Sequence, residues 1–270
     1  MNDQRSATYT HGHHESVLRS HQRRTTQDSA AYLLPYLTPA SSVLDIGCGP
    51  GTITADLAAR VAPGPVQAVD QFAGVLNVAR GEVERRNLFN VSFATADVHK
   101  LDFPDDAFDV VHAHQVLQHV AAPVRALREM RRVCRPGGIV AARDADYAGF
   151  IWFPRLPELD LWRDLYQQVA RANGGEPDAG RRLLSWAFEA GFDDVTPTGS
   201  LWCYATAATR EWWGGMWADR ILHSDVAREL LRLGLASPAQ LEEISAAWLS
   251  WAAAPDGWLA IPHGEILCRA

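Results

Sequence analysis

From residue 42 to residue 143, apolar runs of four to six positions alternate with stretches whose apolar residues recur every three or four. The short runs predict five strands, over 42–46, 66–69, 91–96, 108–113 and 139–143. The longer stretches predict helices over 52–61, 73–86 and 123–134. Their inward faces carry Ile53, Leu57 and Val61, then Leu76, Ala79 and Val83, then Val124, Leu127, Met130 and Cys134. Arg135-Pro136-Gly137-Gly138 supplies the stop signal after the third. Strands separated by crossover helices run parallel, and right-handed crossovers put helices on both faces of the sheet.

Beyond residue 150 the pattern is mostly helical, over 157–172, 181–190, 210–223 and 238–252. The last begins with a capping box, Ser237 with Gln240, and Pro238 at the first helical position. Two strand-like stretches, 194–204 and 258–268, read as late additions to the sheet edge, with one antiparallel pair. All ten tryptophans lie in this later part. The absence of a repeat or a Gly/Ser linker predicts that both parts form one compact unit.

Composition narrows the function classes. At 47% hydrophobic and 21% charged, the 270 residues suit a folded core, and no apolar run reaches the ~18 residues of a membrane span. The first ten residues lack the apolar stretch of a secretory signal, and Cys48, Cys134, Cys203 and Cys268 form no CxxC pair. These features predict reduced thiols in a cytoplasmic protein. A formal charge of −7 disfavours a nucleic-acid surface.

Ligands of an open parallel sheet bind beyond the carboxyl ends of its strands, and polar residues collect there. The first strand leads into Gly47-Cys48-Gly49-Pro50-Gly51, the second into Asp70-Gln71, the third into Asp97-Val98. The fourth delivers His114-Gln115, and the fifth Asp144, Asp146 and Tyr147. Alternating glycines let the main chain approach a ligand without Cβ obstruction. A dinucleotide fingerprint would place its third glycine one residue later, and Pro50 removes a donor that a phosphate would use. This disfavours a nicotinamide-dependent reductase and favours a nucleoside-like ligand without phosphate. Asp70 can accept both hydroxyls of a ribose, or cap the helix that starts at residue 73. Asp97 and the Val98 amide match the edge of adenine, although Asp97 also reads as a solvent-facing loop acid.

These residues resemble the class I S-adenosylmethionine-dependent methyltransferases. Residues 43–52 (VLDIGCGPGT) look like that family's first motif. Ala96-Asp97-Val98, 102–111 (DFPDDAFDVV) and 127–138 (LREMRRVCRPGG) look like later motifs in the right order. The similarity is nearest to the ubiquinone/menaquinone-type and natural-product small-molecule branch. It implies an α/β, Rossmann-like, doubly wound and mostly parallel seven-stranded sheet with one antiparallel edge strand and a helical cap. The expected division is an N-terminal lid over 1–30, a cofactor-binding core over 31–147 and a Trp-rich substrate cap over 148–270. The resemblance implies that Gly47, Cys48 and Gly49 hold the methionine part of S-adenosylmethionine. It places Asp70 at the ribose and Asp97 and Val98 at the adenine, with Gln71 a further cofactor-binding candidate. No Asp-Pro-Pro-Tyr or Asn-Pro-Pro-Tyr signature and no Pro-Cys nucleophile follow the fourth strand, which leaves a small-molecule acceptor.

The expected reaction is methyl transfer to a small apolar or aromatic molecule, on carbon, oxygen or nitrogen. Candidate acceptor-side groups are His114, His119 and Asp144. His119 reads equally as a packing residue, Asp144 as a loop cap, and His114 as a cofactor contact through its backbone; His112 should point the other way. In the segment 9–24, His11, His13, His14 and His21 have no second ligand cluster, so a cover over the cofactor, with Tyr9 or His21 at the methionine end, is preferred to a metal site. Trp202, Trp212, Trp213, Trp217, Trp248 and Trp251 read as acceptor-pocket walls or as core. A cyclase or decarboxylase that binds the cofactor without methylating is the alternative, as is a non-catalytic binding module. A homodimer is left open.

Overall fold

The computed structural model describes residues 9, 10, 12 and 20–270. His11, His13 and His14, with most of the expected 1–30 lid, lie outside the described residues.

After a short helix, α1 (Thr26–Ser29), the chain lays down β1 (Val43–Ile46), α2 (Thr52–Val61), β2 (Val66–Asp70), α3 (Ala73–Arg85) and β3 (Val91–Thr95). It continues through β4 (Phe108–His114), α4 (Pro123–Val133) and β5 (Cys134–Ala145). A three-residue strand, β6 (Ile151–Phe153), then precedes α5 (Pro157–Ala172), α6 (Leu183–Glu189) and β7 (Val195–Tyr204). The helices α7 (Ala207–His223), α8 (Asp225–Arg232) and α9 (Pro238–Ala253) lead to β8 (Trp258–Arg269).

The sheet runs β3-β2-β1-β4-β5-β8, with β7 along the far side of β8 and β6 extending the β5 side. β1 to β5 pair in parallel, and β8 runs against all three of its neighbours. The mostly parallel, doubly wound expectation holds. The sheet has eight strands because β6 adds to it, and the antiparallel strand lies one place in from the edge, inside β7.

Alternation along the strands explains why both faces are covered. Leu44, Ile46, Val111, Ala113, Val140 and Ala142 pack on one side under α4 and α6, with Leu127, Met130 and Leu183. Val43, Val66, Val110, Ile139 and Ala141 pack on the other with Leu57, Ala58 and Val61 of α2. Period-two side chains buried on both faces give the continuous apolar runs of the sequence. β5 begins earlier than expected, at Cys134, because the Arg135–Gly138 stretch forms an irregularity within the pairing to β4.

The cap has its own core. Trp162, Trp217, Trp248 and Trp251 are fully buried among Tyr166, Leu159 and Ile244. Trp162 meets Trp217 and Trp248 edge-on at centroid distances of 4.6 and 4.9 Å. α9 is held at its start by the expected Ser237–Gln240 capping box. No helix is long and apolar enough to cross a membrane among the described residues.

Candidate active site

The ends of β1, β2 and β4 and the loop after β3 surround a cavity of about 390 Å³. The glycine loop forms one wall. Gly47 has φ +66°, and a Cβ there would stand 2.5 Å from Val116 Cγ2. Gly51 has φ +83°, and a Cβ there would meet Ala79 at 2.8 Å, so bare backbone is what lets α2 and α3 approach. Beneath the loop, buried Asp45 accepts from Thr54 Oγ1 at 2.6 Å and pairs with His112 Nδ1 at 2.8 Å. His112 does not line the cavity, but alternation is not the reason: residues 112 and 114 share a face of β4, and His112 is held beneath the loop by its pairing with Asp45.

Asp70 Oδ2 accepts the Gly49 amide at 3.0 Å, and Oδ1 accepts the Phe72 amide at 2.9 Å. The carboxylate thus serves the start of α3 and the glycine loop together while lining the cavity. Asp97 lines the same cavity and accepts from the His99 amide at 2.9 Å. Two acids from separate strands face one hollow.

Every predicted cofactor residue, from Tyr9 and His21 through Gly47, Cys48, Gly49, Asp70, Gln71, Asp97 and Val98 to His114, lines this cavity, as does His119. His114 is 6% exposed, and neither ring nitrogen has a hydrogen-bond partner. Burial, reinforced by Arg24 and Arg143, keeps it neutral well below the ordinary imidazole range. Burial, with Arg24, holds His119 down at about 3. Its Nε2 faces Gln118 Nε2 at 2.9 Å, and the Tyr9 ring stands edge-on at 4.8 Å. Burial raises the Tyr9 phenol to about 12, so it stays protonated.

Asp144 corrects the sequence expectation. It lines neither this cavity nor the second one, between the sheet and the cap; its fully buried carboxylate accepts the Gln118 amide at 3.1 Å, capping the turn Leu117–His119. The last residues of β5 are flanked by β4 and β8, which directs this side chain under the turn and away from solvent. Burial raises its pKa to about 7.

A second cavity, of about 370 Å³, opens between the sheet and the cap. Trp202, Trp212, Trp213 and Trp217 line it; Trp248 and Trp251 are core residues. His21, Arg24 and Gln115 line both cavities and form the junction. Arg24 donates to Gln115 Oε1 at 2.7 Å, and Gln115 Nε2 donates to His263 Nε2 at 2.9 Å. His263 Nδ1 in turn donates to the Ile261 carbonyl at 3.0 Å, which fixes a neutral tautomer. Gln115 holds φ +53°, a strained geometry for a side-chain-bearing residue, anchored by its amide on the Arg143 carbonyl at 2.7 Å. The bridging roles of Arg24, Gln115 and His263 escaped the sequence reading, since no local spacing joins these three positions.

A methyltransferase domain family matches residues 37–182, just over half of the chain. The chain belongs to that family. The methyltransferase is 34% identical over 97% of its length to an uncharacterized methyltransferase of Schizosaccharomyces pombe, of which 96% is covered. It is 34% identical over 58% of its length to the ubiquinone/menaquinone biosynthesis C-methyltransferase of Ectopseudomonas mendocina, covering 67% of that protein. Its fold is shared with phosphoethanolamine N-methyltransferase 2 of Haemonchus contortus, with a TM-score of 0.57 and 19% identity over 89% of this chain and 52% of that one. That structure is a complex with S-adenosylhomocysteine, and a second structure of the same protein, 17% identical to this chain with a TM-score of 0.54, is a complex with S-adenosylmethionine. The residues present fit S-adenosylmethionine: a glycine loop where a Cβ at Gly47 would crowd Val116, with Asp70 and Asp97 lining the same cavity.

Proposed function

We propose that the methyltransferase seats its cofactor in the first cavity and a small apolar or aromatic acceptor in the second. The observation that carries this reading is the junction, where His21, Arg24 and Gln115 border both spaces. In this reading Gly47, Cys48 and Gly49 hold the methionine moiety, with Tyr9 and His21 closing over it. Asp70 and Gln71 serve the ribose; a carboxylate oxygen accepts more than one hydrogen bond, so Asp70 can keep its hold on Gly49. Asp97 and the Val98 amide serve the adenine.

The bound cofactor supplies an electrophilic methyl group on a sulfonium. The protein's contribution is alignment of the acceptor along the S–CH₃ axis and exclusion of water, worth up to ~7–11 kcal/mol from positioning. Bound there, the cofactor would pass its methyl group to the acceptor and leave as the neutral thioether, and an acidic acceptor would release its proton. His114 and His119 line the cofactor cavity in neutral form, ready to accept a hydrogen bond from the acceptor, while the burial that lowers their pKa values makes both weak bases. Tyr9, Gly12, His21 and Arg24, the described residues of 1–30 at the first cavity, cover the cofactor, and 148–270 acts as the cap that encloses the acceptor. The four free thiols fit a reducing, cytoplasmic setting, and the net charge of −7 fits a small molecule better than a nucleic acid.

Titration calorimetry with S-adenosylhomocysteine tests the seating. Micromolar binding that survives Trp212→Ala and disappears in Asp70→Ala is expected. Binding that is insensitive to Asp70 overturns it. A product heavier by one methylene than its acceptor, in a screen of small aromatic molecules, completes the test.

A further inference from the structure

The described residues that line the second cavity carry a charge opposite to that of the whole chain. The chain has a net charge of −7, yet the described residues lining this space include three guanidiniums, Arg23, Arg24 and Arg220, against one carboxylate, Asp28. Asp28 Oδ1 takes the Thr25 amide at 3.1 Å and the Ser29 hydroxyl at 2.5 Å in the capping box of α1, and its charge offsets part of that of Arg24, leaving the guanidiniums in excess. Neither Arg23 nor Arg24 has a carboxylate within ion-pair range among the described residues; the one side-chain hydrogen bond of Arg24 goes to neutral Gln115.

Each guanidinium lies over a different tryptophan of the wall. Arg23 is 4.5 Å from the centroid of Trp212, Arg24 is 5.4 Å from Trp202, and Arg220 is 4.8 Å from Trp217. An Arg stacked by its flat face keeps its in-plane N–H groups for a planar oxyanion. Arg220 is 4% exposed and oriented by its hydrogen bond to Ser20 Oγ at 3.0 Å. Plain aromatic walls would serve an uncharged acceptor without this arrangement.

We propose that the acceptor is an aromatic acid: a flat ring system against the tryptophans, with a carboxylate or phosphate ester held by Arg220 and Arg23. This narrows the substrate class of the proposed function and rests on the seating of the acceptor in the second cavity. Arg24, at the junction, also borders the cofactor cavity, where the methionine carboxylate is a competing anion. Arg23 and Arg220 line only the second cavity, so they separate the two sources.

The test uses the full chain loaded with S-adenosylhomocysteine and three probes: trans-cinnamate, its uncharged analogue cinnamamide, and phenyl phosphate. Affinity is read by ligand-observed NMR titration at pH 7.5. Cinnamate, phenyl phosphate or both should bind at least tenfold more tightly than cinnamamide, which also tells carboxylate from phosphate. Arg220→Gln and Arg23→Gln should each cut that preference at least threefold while the affinity for S-adenosylhomocysteine stays within twofold. Should Arg220→Gln fail to fold, exposed Arg23→Gln decides alone. Equal affinity for the acid and the amide, or an unchanged preference in the folded variants, overturns the assignment and leaves the seating standing. Binding of S-adenosylhomocysteine with none of the three probes overturns both.

Discussion

Gly49 donates its amide to the Asp70 carboxylate at 3.0 Å, across 21 positions of sequence. One side chain at the end of β2 thereby fixes the loop after β1, and the same carboxylate faces the cofactor cavity. Asp70→Ala removes both services. We expect a loss of more than tenfold in affinity for S-adenosylhomocysteine and about 1–3 kcal/mol in stability, from the amides left without an acceptor. Calorimetry and denaturant melts check the two effects separately; full affinity in the variant contradicts the arrangement.

At Gly47 the backbone and the cavity make the same demand. Gly47→Ala places a Cβ at φ +66° and 2.5 Å from Val116. About 1–2 kcal/mol of destabilisation follows from the left-handed conformation alone. Val116→Ala in the same chain should relieve the clash without restoring that conformational cost, so the double variant recovers cofactor binding only in part. Full recovery would place the whole effect in the contact.

Asp144 gives the protein a stability term that depends on pH. Its folded pKa, about 7, stands above its unfolded value of ~3.9, so the folded state holds the proton more tightly. The stabilising contribution is complete below pH ~4 and is lost as the pH rises through about 7. Asp144→Asn keeps an oxygen for the Gln118 amide and removes the titration. The stability of the variant relative to the parent should rise by up to about 4 kcal/mol between pH 4 and pH 8. Parallel stability curves would contradict this.

The tryptophans divide by position. Trp162 and Trp248 are fully buried in the cap core, and either one replaced by Ala should cost about 3–5 kcal/mol. Trp212 lines the second cavity and is half-buried, so Trp212→Ala should change stability by about 1 kcal/mol and raise the KM for the acceptor several-fold. Thermal melts beside acceptor kinetics distinguish the two classes.

The core was readable where local chemistry is strong. α5 occupies Pro157–Ala172, as its Pro start and amphipathic pattern predict, and all the expected cofactor positions face one cavity. α8 and β6 were missed because two helical turns and three residues are too short for a periodicity to register. Asp144 was placed at the correct strand end, but strand position does not say whether a carboxylate faces a ligand or caps a neighbouring turn. The junction was invisible for another reason. Arg24–Gln115 and Gln115–His263 span 91 and 148 positions, and contacts of that separation exist only once the sheet has assembled.

β8 is hydrogen-bonded to β5, β6 and β7, yet it is the last of the eight strands to be synthesised. While the ribosome is still short of residue 258, those three strands lack the neighbour that joins them, and His263 has not arrived to meet Gln115. β1 to β4 and their helices are complete before that point, but the second cavity, which Ile261 of β8 lines, waits for this strand to emerge. Completion of the first cavity and completion of the second are thus separated in time by vectorial synthesis.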